Sequence, residues 1–143
     1  MKKLKKSIIL IIIGIGIGYY VCFSGSVDNI FKKRYKAFQI GVFTDMSVAA
    51  TYSSKYNNSI IVNDNELYRV YYAILKQDKN INTMSKYLDS LGIEYYLKDI
   101  EISDKNLISE INNYESIMNN ESEVVFLSIN KMIIERYKDS LWD

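Results

Sequence analysis

The hydrophobic pattern of the chain changes period twice. Ser7 to Phe23 is a run of 17 residues without a charge, preceded by Lys2, Lys3, Lys5 and Lys6. A membrane-spanning helix wants roughly 20 apolar residues, with a range of about 17 to 25. Tyr19 and Tyr20 suit the headgroup interface near the far end of the run. Residues 7–23 are therefore expected to be a transmembrane anchor. A cleavable signal peptide is the competing reading. A cut before Cys22 finds Tyr19 and Val21 where small residues are wanted, whereas a cut after Ser24 or Gly25 stays open.

From residue 36 the period is two. Phe38, Ile40 and Val42 fall to one side and Gln39 and Gly41 to the other, as in a half-buried strand. Thr44 or Asp45 can cap a helix from about Met46 to Tyr56, stopped by Asn57 and Asn58. Ser59 to Val62 is a short β-branched strand. The Asn63-Asp64-Asn65 turn joins it to a strand over Glu66 to Leu75. There Tyr68, Val70, Tyr72 and Ile74 face one way and Arg69 and Tyr71 the other. Ile81, Met84, Tyr87, Leu88 and Leu91 form a helical stripe closed by Gly92. Ile93, Tyr95 and Leu97 then alternate with Glu94, Tyr96 and Lys98. The order is βαββαβ, an α+β fold. Two helices suit one face of so small a sheet, which leaves a face bearing Gln39, Arg69 and Tyr96 open.

Beyond residue 104 the period becomes helical. Leu107, Ile108, Ile111, Tyr114 and Ile117 form one stripe, and Val124 to Leu141 carry a second, longer one. Residues 104–142 are expected to be a helical hairpin, either a structural extension or a partner-binding element.

Composition narrows the chemistry. There is no histidine and no proline, and Cys22 is the single cysteine. A Cys/His zinc site, a Ser-His-Asp triad, a Cys-His pair and an intrachain disulfide are excluded by counting. No metal or cofactor is expected. Glycosidase chemistry needs two carboxyls across a sugar cleft, but no acidic residue falls in a recognisable motif, so no catalytic residue is assigned and the protein is read as a non-enzyme. The net charge of +1 hides a division: residues 1 to 36 hold 8 basic groups and 1 acidic, and residues 37 to 143 hold 10 basic and 16 acidic. A folded module without a basic footprint argues against nucleic acid as a partner. Gly14, Gly16 and Gly18 lack the third glycine of a dinucleotide fingerprint. Gly14 and Gly18 do make a G-x-x-x-G, on which two membrane helices can pair as a homodimer.

Phe38-Gln39-Ile40-Gly41-Val42-Phe43 resembles the first-strand signature of the SPOR family, the sporulation-related repeat domain. Ala49 matches the alanine of the following helix, Tyr68-Arg69-Val70 the third-strand motif, and Leu91-Gly92 with Tyr96-Leu97-Lys98 the close of the repeat. The family's Gly-Pro-Phe after the third strand is missing, since Ala73, Ile74 and Leu75 stand there.

The resemblance covers residues 36–100 and implies a ferredoxin-like domain that binds septal peptidoglycan, favouring glycan strands stripped of stem peptides. It further implies one membrane anchor, a cytoplasmic N-terminus and an extracytoplasmic domain, in cell division or sporulation. By the motif the binding role falls to Gln39, by strand parity to Arg69, Tyr71 and Tyr96, and to Tyr68 if the strand begins with a twist. These residue types suit sugars, because amides and guanidinium groups bond hydroxyls and aromatic rings cover C–H faces. The linker over residues 24–35 spans at most about 40 Å, so the domain would reach only wall material near its own membrane. The alternative is an interaction adaptor of SPOR-like fold that recruits a division or sporulation protein through its C-terminal helices.

Overall fold

The computed structural model describes residues 32–142. The anchor expected over residues 7–23, the Gly14/Gly18 pairing and most of the linker lie outside them. Among the described residues no helix is long and apolar enough to cross a membrane.

The chain runs β1 (Lys33–Phe43), α1 (Met46–Ser53), β2 (Ile60–Asp64), β3 (Leu67–Leu75), α2 (Asp78–Ser90), β4 (Tyr96–Ile102), α3 (Lys105–Met118) and α4 (Glu123–Ser140). The four strands form one sheet in the order β2-β3-β1-β4, with every neighbouring pair antiparallel. The fold is α+β, and the βαββαβ order expected from the sequence is present. Its margins differ. β1 begins at Lys33, so the last residues of the expected linker are strand, and Tyr35 is buried. β4 begins at Tyr96 rather than Ile93 and continues to Ile102.

Local chemistry explains the joints. Asp45 caps α1 by accepting from the backbone of Ser47 at 2.7 Å and Val48 at 3.2 Å. Asn65 and Glu66 both have positive φ, so β2 and β3 are joined by a two-residue turn of the primed kind that suits strand twist. Gly92 closes α2 at φ +66°: its N–H donates to Asp89 O and that of Ile93 to Leu88 O, both at 3.0 Å, the paired bonds of a Schellman ending.

Two bulges interrupt the β1–β3 ladder. Phe38 pairs with Ala73, Gln39 with Tyr71 and Gly41 with Val70, so Tyr72 on one strand and Ile40 on the other are passed over. Simple alternation put Gly41 beside Gln39 and Val42 opposite it. The bulge reverses both. A side chain at Gly41 would meet Phe43 and Tyr52 of α1, while Val42 pairs with Arg69, which bonds Gln39.

The main departure is the second helical layer. On one face α1 and α2 pack against the sheet, with Phe43 on Tyr52 (ring centroids 5.1 Å apart) and Tyr72 beside Tyr87 (6.5 Å). The face expected to be open is largely covered by α3 and α4. Ile111, Phe126, Ile133 and Ile134 are buried in one continuous core with Tyr35, Ala37, Tyr71 and Ile74. Asn130 donates to Tyr72 O at 2.9 Å, and Glu115 accepts from the backbone of Lys76 and Gln77, both at 2.9 Å, at the start of α2. The physical reason lies in β2 and β3. By register Ile60 and Val62 stand with Tyr71 and Arg69 on that face, and so much apolar surface is stable only when covered.

Candidate functional site

The second layer stops short of one corner of the sheet. What stays accessible is a row that crosses all four strands: Tyr96 on β4, Gln39 on β1, Arg69 on β3 and Asp64 on β2. The register sets Gln39 beside both Tyr96 and Tyr71. The row runs obliquely across the sheet, since Arg69 lies two residues along β3 from Tyr71, the partner of Gln39, and Asp64 two residues along β2 from Val62, the partner of Arg69.

The polar members are bonded into a network. Arg69 Nη1 donates to Gln39 Oε1 at 2.9 Å and Arg69 Nε to Asp64 Oδ2 at 2.7 Å. Lys98 reaches the same Asp64 oxygen across the sheet. The Lys98 and Arg69 bonds hold the Asp64 carboxyl below the usual carboxylate range, against a smaller opposing effect of burial. Side-chain exposure is 20% for Arg69, 27% for Lys98 and 31% for Asp64, so the three are half-buried and held in place without being sealed. Gln39 is also half-buried. Among the described residues no hydrogen bond occupies Gln39 Nε2 or Arg69 Nη2, which leaves two donor groups of the network unused. Tyr96 is 65% exposed and Val42 beside Arg69 is exposed as well.

The sequence-predicted residues thus separate into two groups. Gln39, Arg69 and Tyr96 come together on the uncovered corner. Tyr71 shares their face but is only 2% exposed, with Tyr137 of α4 above it. Burial first, then Tyr71 and Asp64, push the Tyr137 phenol up to about 12. Tyr71 therefore supports the patch from beneath and offers no ring to a ligand. Tyr68 pairs with Phe43, whose ring packs on Tyr52 of α1, so Tyr68 belongs to the opposite face. The twist that would have turned it toward Gln39 is absent.

Two members were missed. Asp64 reads as a turn residue in the sequence, but it ends β2 and anchors the network. Lys98 was matched only as the close of the repeat, although its position two residues after Tyr96 puts both on one face of β4.

Chemically the corner offers a flat exposed ring, an amide, a guanidinium group and an ammonium group, the last three bonded into one network. Neither family models, nor curated proteins, nor solved structures give a match to the chain.

Proposed function

We propose that the chain is a non-enzymatic, membrane-tethered module that binds peptidoglycan glycan strands outside the cytoplasm, favouring septal strands stripped of stem peptides, in cell division or spore formation. In this reading the βαββαβ unit is a SPOR-type domain, residues 7–23 anchor it with the N-terminus in the cytoplasm, and α3 and α4 are an added layer. The observation that carries the reading is the exposed Tyr96 ring beside the half-buried Gln39–Arg69 pair. A ring can stack on a sugar C–H face while the free amide and guanidinium donors take its hydroxyls. The second layer leaves room for a short stretch of glycan on a corner and none for a strand laid along the whole sheet.

Co-sedimentation of the full chain, held in detergent, with purified cell-wall sacculi tests this. Retention is expected, with Tyr96→Ala and Gln39→Ala each reducing it about tenfold, an effect of the size expected for one stacking ring or one network of hydrogen bonds. Absence of retention, or full retention of both variants, would overturn the reading.

The adaptor reading has less support. Much of the apolar stripes of α3 and α4 is spent on the core, so a partner would meet their outward faces, where Ile117, Val124, Val125 and Met132 stand exposed.

A further inference from the structure

We infer that the corner patch selects a carboxylated sugar, and that Arg69 and Lys98 together read the carboxylate. The inference rests on the glycan-binding reading and names the group on the glycan that is recognised. Two cations share one oxygen of one carboxylate: Arg69 Nε and Lys98 Nζ both bond Asp64 Oδ2. The other oxygen, Oδ1, accepts only the amide of Asn65, at 3.2 Å. The cluster therefore carries one positive charge more than negative. Its members are between a fifth and a third exposed, and a charge withdrawn this far from water interacts more strongly than one at the open surface. Asp64 fixes both cations in position, so a ligand would not have to order them. Arg69 Nη2 and the remaining protons of Lys98 are free to bond a second carboxylate, and charge-assisted bonds of this kind are roughly twice as strong as neutral ones.

The rest of the row suits the rest of such a ligand. Tyr96 gives a surface for the pyranose ring, and Gln39 Nε2 gives a donor between the ring and the charges. A neutral sugar would use Tyr96 and Gln39 and leave the extra positive charge unanswered. In peptidoglycan the lactyl group of muramic acid ends in a free carboxylate once the stem peptide is removed, and in an uncharged amide while the peptide is attached. The patch would thereby sense peptide removal by charge.

Three probes separate the outcomes, each titrated against the full chain in detergent: denuded glycan strands, the same strands after carbodiimide coupling to methylamine, and chitotetraose. The denuded strands are expected to bind about tenfold more tightly than the amidated ones, matching ~1.4 kcal/mol for one charge-assisted hydrogen bond. Raising the salt should narrow the gap. Lys98→Gln should bring the ratio of free to amidated binding close to one. Lys36→Gln, which removes a lysine paired with Asp99 outside the patch, should leave the ratio unchanged. Equal binding of free and amidated strands, or an equal loss of preference in the Lys36 variant, would overturn the inference and leave the glycan-binding reading standing. No binding of any of the three probes would overturn both.

Discussion

Gly41 occupies a position that no side chain can share. A Cβ there would lie 2.7 Å from Phe43 Cε2 and 3.1 Å from Tyr52 Cε1. Those rings are held, since Tyr52 donates its hydroxyl to Ile40 O at 2.9 Å and stacks obliquely on Tyr56. Gly41→Ala is expected to lower stability by about 1–3 kcal/mol, the usual range for overpacking. It should appear as a lower urea midpoint at unchanged slope, and an unchanged midpoint would mean that the rings yield. The glycine was legible as part of a motif, but the reason for it was not. Alternation assigned it to the Gln39 face, and only the bulge at Ile40 sends it toward α1. Bulges leave no signature in a period-two pattern, because they consist of one residue more than the pattern allows. The same limit hid Lys98. Its partner, Asp64, lies 34 residues away in sequence, and no local spacing announces a bond that crosses a sheet.

At the scale of elements, the two terminal helices belong to the fold and are not an appendage. Ile133 of α4 is fully buried in the same core as Tyr71 and Ile74. Ile133→Ala is expected to destabilise the whole module by about 2–5 kcal/mol, measured by urea denaturation followed at a strand-borne probe. A shift below about 0.5 kcal/mol would indicate that the helices dock loosely. The sequence located these helices well, with ends within a few residues of Lys105–Met118 and Glu123–Ser140. It did not say where they dock. The signal was available in the strands. Ile60, Val62 and Tyr71 are too apolar for a face left to solvent, and reading them together required the register of β2 against β3. The start of α2 shows the same dependence. Gln77 makes no side-chain cap bond. The carboxylate that receives the Lys76 and Gln77 amides is Glu115, nearly forty residues later, so no capping signal stands near the helix.

At the scale of the molecule, two buried faces on one sheet leave several phenols out of water. Burial, with a smaller contribution from Glu115, pushes Tyr35 up to about 12. Tyr72, again chiefly by burial and then by Tyr87, is pushed up to about 12 as well, as is Tyr137. Their unfolded value is about 10. A group whose native value is raised gives stability that is complete below the unfolded value and lost as pH climbs through the native one. Stability should therefore hold to about pH 10 and fall between about 10 and 12. Tyrosinate absorbance and loss of circular dichroism should rise together in an alkaline titration. Ionisation of these phenols near pH 10 with the dichroism intact would contradict the three-layer packing.

The position of α4 in the core has a consequence for biosynthesis. A ribosome delivers residues 105–140 after the strands, so the sheet completed by residue 102 has a face that α3 and α4 have yet to cover. Until those helices emerge the nascent chain carries a greasy, half-clothed platform, which is the kind of surface that chaperones hold and proteases sample. A chain cut short before residue 123 cannot hide this surface, so quality control can tell it from one that carries α4 by a single exposed flank.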